Sequence, residues 1–286
     1  MLRVASVCVA FLLLVATVSA QTQAPSDSRL KSIIAKKTIR IAYRADAAPF
    51  SFVNAEQQVV GYTIDLCVLV TKSIAQQYGI GELKIEWVPV TVETRFSTVA
   101  GGKADMECGS STVTLGRMKD VDFSIFTFVE STGVLVARAA NVHSFAEMAG
   151  KKLAVVTGTS NERAVTLATR EQKVDATLVQ VKDRDEGVAA LEAGKVDGFA
   201  SDKLLLLGAQ IKHPEALAML PDDLSIEPYG IVLPRGDWAL RLAVNTGVAH
   251  IFGGAMPEIY GRWFGHIGMR PGTLLQSVYA LGRLAD

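Results

Sequence analysis

The feature that most constrains the fold of this chain is the repeated alternation of short β-rich runs with amphipathic helical segments. In the first half, apolar residues recur at helical spacing through Asp65–Tyr78, between β-rich runs at Thr38–Tyr43 and Leu83–Val88. In the second half, Lys152–Val156 and Ala176–Val181 are apolar runs separated by another helical segment. This order is typical of an α/β fold with largely parallel sheets. Further strands are predicted at 104–108, 134–137 and 196–200, and further helices at 93–101, 161–168, 186–194, 240–250 and 259–264.

The first 20 residues have the layout of a secretory signal peptide. Arg3 gives a positive start, Val4–Val18 is an uncharged and mostly apolar stretch of 15 residues, and Val18-Ser-Ala20 is a small-x-small cleavage pattern. A membrane-spanning helix needs about 20 apolar residues. We therefore expect residues 1–20 to be removed on export and the mature chain to begin at Gln21. An uncleaved membrane anchor is the alternative.

Charge and motif content argue against several classes of protein. With 29 basic and 29 acidic residues, the chain lacks the basic excess that binding to nucleic acid or to an anionic membrane surface requires. Its four histidines stand in no metal-binding or catalytic spacing, and the sequence contains no glycine-rich nucleotide loop. The sequence therefore predicts no cofactor, no metal and no nucleic-acid partner.

Two cysteines, Cys67 and Cys108, follow the predicted signal peptide. In an oxidising compartment such a pair is a candidate disulfide. Free cysteine also packs as a small buried hydrophobe, and the sequence leaves both interpretations open.

A series of short motifs occurs in order along the mature chain. They are Ala48-Pro-Phe-Ser-Phe52, Val60-Gly-Tyr-Thr-Ile-Asp-Leu66, Gly102-Lys-Ala-Asp105, Glu107-Cys-Gly-Ser-Ser-Thr112, Val121-Asp-Phe-Ser124, Val156-Thr-Gly-Thr-Ser160, Leu191-Glu-Ala-Gly-Lys-Val-Asp197, Tyr229-Gly230 and Gly261-Arg-Trp-Phe264. Together they resemble the polar amino-acid solute-binding proteins that deliver substrate to bacterial ABC importers, the extracellular solute-binding family 3. The resemblance covers essentially the whole mature chain.

The resemblance implies an α/β, two-lobed fold of the type II periplasmic-binding-protein kind, in which two α/β lobes are joined by two hinge strands. The first lobe is expected to comprise residues 21–131 plus 230–286, and the second residues 132–229. The hinge strands are expected near Val129–Gly133 and Pro228–Ile231. Ligands of two-lobed proteins commonly lie in the cleft between the lobes.

Within that family, the sequence is most similar to the glutamate- and aspartate-binding branch. That branch carries an arginine after the first strand and another at the start of a later helix, which Arg44 and Arg95 match. Branches that bind basic amino acids tend to have an acid in place of Arg44 and aromatic residues near Ala47 and Val92. The resemblance therefore implies a ligand with a negatively charged side chain.

The resemblance also assigns roles to individual residues. Arg117, with Ser110 and Thr112 beside it, is expected to hold the ligand's α-carboxylate, and Thr159 lies at a predicted helix N-terminus, where free amides favour an anion. Asp202 is expected to take the ammonium group. The side-chain carboxylate is expected to bind Arg44 and Arg95.

The position of Arg184 departs from the similar branch, which tends to have a histidine there. Arg184 either reaches the side-chain carboxylate from the second lobe or lies in solvent. Each of the other residues also has an ordinary interpretation, because arginines are mostly on the surface and Asp202 is a preferred helix N-cap residue. Surplus positive charge from several arginines would need an acid to offset it, for which Glu93 or Glu107 is the candidate.

The combined expectation is a periplasmic, monomeric binding protein rather than an enzyme. It would close its lobes around L-glutamate or L-aspartate and present the ligand to an ABC importer's membrane permease. The alternatives are a binding protein for another polar amino acid or a dicarboxylate, a module that reports an amino acid to a sensor, and an enzyme on the same fold resembling cyclohexadienyl dehydratase.

Overall fold

The computed structural model describes residues 27–284, so the predicted signal peptide at residues 1–20 lies outside the described residues. Between residues 27 and 284, no helix combines the length and apolarity needed to cross a bilayer. The strands are β1 (Thr38–Arg44), β2 (Asp46–Ala47), β3 (Ser51–Val53), β4 (Val59–Val60), β5 (Lys84–Val90), β6 (Met106–Glu107), β7 (Val121–Phe123), β8 (Phe128–Glu130), β9 (Thr132–Ala137), β10 (Lys152–Val156), β11 (Thr177–Val181), β12 (Gly198–Asp202), β13 (Leu217–Met219), β14 (Glu227–Tyr229) and β15 (Val232–Pro234). The helices are α1 (Arg29–Lys36), α2 (Tyr62–Gln77), α3 (Arg95–Ala100), α4 (Ser160–Glu171), α5 (Arg184–Glu192), α6 (Lys203–Lys212), α7 (Trp238–Gly253), α8 (Met256–Phe264) and α9 (Thr273–Leu281), with short 3-10 turns at Arg117–Lys119, Arg138–Ala140, Phe145–Met148 and Gly265–Ile267.

These elements form the expected two α/β lobes, each built on a five-stranded sheet. The sheet of the first lobe has the order β5-β1-β6-β15-β7, and that of the second lobe has the order β11-β10-β12-β9-β13. The two lobes are joined by β8 and β14, which pair antiparallel with Val129 opposite Pro228. The fold class predicted from the sequence is therefore confirmed.

The prediction of largely parallel sheets is wrong for half of each sheet. β1 is parallel to both β5 and β6, but β15 runs antiparallel to β6 and β7. In the second lobe β10 is parallel to β11 and β12, whereas β9 is antiparallel to β12 and β13. Parallel neighbours need a crossover connection, whereas β9 and β15 each follow a hinge strand closely and enter their sheets from the opposite direction.

Helix α2 begins earlier than predicted. Its N-cap residue, Gly61, has no side chain to form a capping hydrogen bond, so the usual sequence signal for a helix start is missing. The helix begins at Tyr62 rather than Asp65, and its first two amides donate to the carbonyl oxygens of Pro49 and Phe50. Gly61 precedes it with φ of 145°, and a Cβ there would lie 2.2 Å from the Phe50 carbonyl oxygen. Only glycine allows this close approach of helix to loop.

The first lobe carries one covalent brace next to the cleft. A disulfide joins Cys67 of α2 to Cys108, which directly follows β6. Both cysteines are fully buried in the main apolar core, where α2 also packs on α7. The brace fixes the chain at the point where the Glu107–Thr112 corner begins.

Candidate functional site

The residues singled out from the sequence converge on one cavity between the two lobes. Seven of the eight predicted ligand-binding residues line it, and Arg117 is not among its lining residues. The first lobe contributes Arg44, Val92, Arg95, Ser110 and Thr112, and the second lobe contributes Val156, Thr159, Ser160, Asn161, Arg184, Ser201 and Asp202. We call Arg44, Arg95 and Arg184 the arginine cluster.

Arg44, the last residue of β1, is 2% exposed and already has an anionic partner. Its Nε donates to Asp46 Oδ1 at 2.7 Å, and its Nη2 donates to Asp46 Oδ2. Its backbone amide donates to Ser51 Oγ at 3.0 Å, which fixes the end of the strand. The guanidinium edge formed by Nε and Nη2 is therefore occupied by the protein's own carboxylate.

Arg95, the first residue of α3, is 4% exposed and retains unused donor capacity. Its Nη1 donates to the Ser110 carbonyl oxygen at 3.4 Å, whereas its buried Nε has no hydrogen-bond partner. Burial lowers the pKa of Arg95 to about 9, with nearby Arg117 acting in the same direction and Glu107 opposing it. An anionic ligand would relieve this unfavourable burial of positive charge.

Glu107, at the end of β6, is the buried acid beside Arg95. It is fully buried, and its Oε2 accepts from Ser111 Oγ at 2.7 Å while its Oε1 has no partner. Burial raises the pKa of Glu107, and the charge of Arg95 opposes that shift. A Cβ at Gly109 would lie 2.2 Å from Glu107 Oε1, so glycine is needed to make room for this carboxylate. Of the two acids considered from the sequence, Glu93 is exposed and Glu107 is the one near the cluster.

Arg117 lies beside the cleft on the face of Phe96. Its Nη1 donates to the Thr112 carbonyl oxygen at 2.7 Å, and the guanidinium carbons of Arg117 and Arg95 each lie 4.8 Å from the Phe96 ring centroid. Burial lowers the pKa of Arg117, and the charge of Glu227 opposes this. Arg117 thus fixes the Thr112 corner, and its predicted role as the α-carboxylate ligand stays a prediction.

Thr159 and Ser160 bring the N-terminus of α4 to the cavity. Thr159 is the N-cap, whose Oγ1 accepts from the Glu162 amide at 3.1 Å and donates to the Val156 carbonyl oxygen at 2.7 Å. The Gly158 amide is not free for a ligand, because it donates to Glu162 Oε2 at 2.7 Å. Ser160 Oγ reaches across the cleft and donates to Thr112 Oγ1 at 3.0 Å.

Arg184, the first residue of α5, lies in the cleft rather than in solvent, with 11% of its side chain exposed. Its Nη1 donates to the backbone oxygen of Asp46 in the first lobe, and its buried Nε has no partner. Burial lowers the pKa of Arg184, and the charge of Arg44 acts in the same direction. Helix α5 can pack this close to β12 because residue 187 is glycine. A Cβ there would collide with the Phe199 ring.

Asp202 ends β12 and occupies the N-cap position of α6, yet its side chain makes no capping hydrogen bond. It is 5% exposed, and Asn161 Nδ2 donates to its Oδ1 at 3.2 Å. Burial raises the pKa of Asp202 to about 6, and the charge of Glu227 raises it further. The hydrogen bond from Asn161 and the charge of Arg184 oppose the rise. Within residues 27–284 no lysine, arginine or histidine forms an ion pair with this carboxylate.

A hinge residue, Glu130, takes the place at the N-terminus of α6 that a capping Asp202 side chain would occupy. Glu130, the last residue of β8, accepts a hydrogen bond from the Ser131 amide at 3.0 Å to Oε1, and the Leu204 amide lies close enough to lower its pKa. Leu204 is in the first turn of α6. Burial raises the pKa of Glu130 to about 8, and these amides oppose the shift. The carboxyl group of Glu130 therefore occupies the N-terminus of α6, while the carboxylate of Asp202 lines the cavity.

Two contacts across the cleft show that the lobes are closed on the cavity. One is the hydrogen bond from Ser160 to Thr112, and the other is the contact of Arg184 with Asp46. Both join α-helix N-termini of the second lobe to loops or strand ends of the first lobe. The cavity is therefore enclosed by polar groups from both lobes.

The family model for bacterial extracellular solute-binding proteins, family 3, matches residues 39–266. The chain belongs to this family.

Curated relatives of this solute-binding protein cover most of its length. It is 32% identical to the L-glutamate/L-aspartate-binding protein of Pseudomonas aeruginosa, over 82% of this chain and 79% of that protein. It is 27% identical to the glutamate/aspartate import solute-binding protein of Escherichia coli, over 84% of this chain and 80% of that protein. It is also 28% identical to a glutamate/glutamine/aspartate/asparagine-binding protein of Rhodobacter capsulatus, over 75% of this chain and 63% of that protein.

Solved structures of two-lobed binding proteins resemble this family member as well. An ancestral arginine-binding protein bound to arginine aligns with a TM-score of 0.71 and 25% identity, covering 80% of this chain and 98% of that one. An ancestral amino acid-binding protein described as a precursor of cyclohexadienyl dehydratase aligns with a TM-score of 0.72 and 26% identity, covering 83% of this chain and all of that one. These likenesses support the fold assignment and show that similar folds serve ligands of different charge.

Proposed function

We propose that this chain is the periplasmic solute-binding component of an amino-acid ABC importer and that it binds L-glutamate or L-aspartate by closing its lobes. The observation that carries the proposal is the pairing, in one cavity, of an arginine cluster with the buried Asp202 carboxylate. An acidic amino acid presents carboxylates and an ammonium group, which need donors and an acceptor of these kinds.

The Asp202 carboxylate supports an ammonium ligand because it is buried and, among residues 27–284, no cation lies within ion-pair distance of it, although the charge of Arg184 reaches it. A buried charge is stable only when it is paired or well hydrogen-bonded. Asn161 supplies one hydrogen bond, and the ligand's ammonium would supply the missing positive charge.

The arginine cluster supports the proposal that the ligand has an acidic side chain. Arg95 and Arg184 each bury an Nε that has no hydrogen-bond partner, and both line the cavity. Arg44 would contribute its charge, although Asp46 occupies its Nε and Nη2. Asp46 and Glu107 would also offset the surplus positive charge of the arginines, and Glu107 is one of the two candidates that the sequence offered for this role.

The relatives support the same ligand class, since two of them are named as glutamate- and aspartate-binding proteins. From the resemblance and the N-terminal sequence we further propose a signal peptide at residues 1–20, lobe limits of 21–131 plus 230–286 and 132–229, a monomer, and a membrane permease as partner. We propose binding rather than catalysis.

Calorimetry with the 20 standard L-amino acids tests the proposal. The protein is purified after export and is unfolded and refolded to remove any ligand acquired during growth. We expect binding heats with glutamate or aspartate. Heats with neutral or basic amino acids alone would contradict the acidic ligand, and no heat with any of them would contradict amino-acid binding.

A narrower alternative keeps the binding function and changes the side chain to an amide or another polar group. The Rhodobacter capsulatus relative, whose name includes both acids and amides, favours it. The same titration separates the two, because glutamine or asparagine would then bind at least as tightly as the acids. The similarity to a precursor of cyclohexadienyl dehydratase makes incubation with prephenate or arogenate a useful control, and we expect no aromatic product.

A further inference from the structure

The arginine cluster contains a carboxylate that the sequence motifs did not single out. Asp46 stands two residues after Arg44, in the short strand β2 that pairs with β3. Both of its side-chain oxygens accept hydrogen bonds from Arg44, one of them at 2.7 Å from Nε. Such a bidentate pairing uses the donor pair that a ligand carboxylate would otherwise engage.

Asp46 also faces the second lobe. Arg184 Nη1 donates to its backbone oxygen and lies 3.8 Å from its Oδ2. Burial raises the pKa of Asp46, but the hydrogen bond and charge of Arg44, together with the charge of Arg184, hold the pKa below its usual value. The carboxylate is therefore ionised at neutral pH, between arginines that belong to different lobes.

An ionised carboxylate in this position acts against a second one. It reduces the positive potential that the ligand's side chain meets, and it repels a negative side chain directly. A neutral amide side chain meets no such repulsion, and it can still accept hydrogen bonds from Arg95 and Arg184, whose Nε atoms are buried without partners.

We infer that Asp46 is a specificity-determining residue. Its carboxylate lowers the ratio of the cleft's affinity for an acidic side chain to its affinity for the corresponding amide side chain. This inference rests on the proposed function, since it concerns the side chain of an amino-acid ligand. A variant with a neutral residue in place of Asp46 is therefore expected to be more selective for acidic ligands than the natural protein.

The test compares affinities for L-glutamate and L-glutamine in the natural protein and in Asp46→Asn. The ratio of the two affinities is the readout, because any cost that Asp46→Asn adds to lobe closure affects both ligands alike. We expect the ratio of glutamate to glutamine affinity to rise at least about tenfold in Asp46→Asn, equivalent to about 1.4 kcal/mol. Asp46→Glu, which retains the charge, should keep a ratio close to that of the natural protein.

Asp65→Asn is the matched control, because Asp65 is an acid of the first lobe that pairs with Arg262 away from the cavity. Its ratio should be unchanged. If the natural protein binds glutamate and the ratio stays constant or falls in Asp46→Asn, the inference is wrong and the proposed function stands. If the natural protein binds aspartate but not glutamate, the same ratio is measured with L-aspartate and L-asparagine; if it binds neither acid, the proposed function is wrong and the inference is overturned with it.

Discussion

The arginine cluster and the Asp202 site lie in the same cavity but differ in how their charges are compensated. Arg44 is paired with Asp46, and Arg95 has the buried Glu107 nearby, so the protein supplies anions of its own to its cations. Asp202 has a hydrogen bond from Asn161 but forms no ion pair with any residue in the range 27–284. The missing charge at Asp202 is the one that an amino acid's ammonium group brings.

It follows from this difference that the two parts of the site contribute unequally to the affinity for the ligand. A cation already paired with a protein carboxylate gains less from a second anion, whereas a buried carboxylate that has no cation within ion-pair distance gains a full charge-assisted pair. We therefore expect substitutions at Asp202 to cost more affinity than substitutions in the arginine cluster.

The largest effect is expected for Asp202→Asn. Removing one partner of a buried, hydrogen-bonded charge pair costs about 2–5 kcal/mol, which is about 30-fold to about 4,000-fold in affinity, and we expect a fall of about 100-fold or more for L-glutamate. Calorimetry measures this, with Asp223→Asn as a control, because Asp223 is an exposed acid that pairs with Lys203. A fall of less than about fivefold would show that Asp202 does not hold the ammonium.

A smaller effect is expected for Arg95→Met in the arginine cluster. A hydrogen bond to a charged group is worth about 1.5–3 kcal/mol, and we expect a loss of about 30-fold in glutamate affinity. Arg262→Met is the matched control, since Arg262 forms surface ion pairs with Asp65 and Glu258. If Arg95→Met weakened glutamate binding more than Asp202→Asn does, the conclusion that Asp202 contributes more to affinity than the arginine cluster would be contradicted.

The smallest effect on affinity is expected from acidification. Because burial raises the pKa of Asp202 to about 6, the carboxylate becomes protonated below that pH and can no longer pair with an ammonium. Lowering the pH from about 7 to about 5 should therefore weaken glutamate binding by about tenfold. Titrations at the two pH values test this, and Asp202→Asn should lose most of the difference. Stronger binding at the lower pH would contradict the assignment.

The same pKa shift predicts an opposite effect on the stability of the ligand-free protein. Between pH 3.8, the ordinary pKa, and about 6, the folded state binds more protons at Asp202 than the unfolded state does. Stability therefore falls as the pH rises through this window, by roughly 3 kcal/mol at about 1.4 kcal/mol per unit. Asp202→Asn should accordingly unfold at a higher denaturant concentration than the natural protein at neutral pH, while binding more weakly.

Much of the fold was predictable, because apolar periodicity is a local property of the sequence. The runs at Thr38–Tyr43 and Lys152–Val156 form β1 and β10 with bounds within one residue of those predicted. The antiparallel strands β9 and β15 were not recognised as such, since their direction depends on the path of the chain through the hinge rather than on their own residues.

The candidate site was predictable where family motifs mark it and not where contacts join distant segments. The family resemblance led to seven residues that line the cavity, of which Ser110, Thr112 and Thr159 lie in the motifs themselves. Nothing in the sequence around Asn161 indicates that it contacts Asp202, which is 41 residues away. Nothing around Glu130 indicates that it lies at the N-terminus of α6. Asp46 stands close to Arg44 in sequence, but its contact with Arg184 spans 138 residues.

The most direct test of the central claim is a crystal structure of the protein with L-glutamate. We predict closed lobes, the ligand's ammonium nitrogen about 3 Å from a carboxylate oxygen of Asp202, and its side-chain carboxylate against Arg95 and Arg184. An ammonium group bound away from Asp202, or guanidinium groups of Arg95 and Arg184 turned away from the ligand, would contradict it.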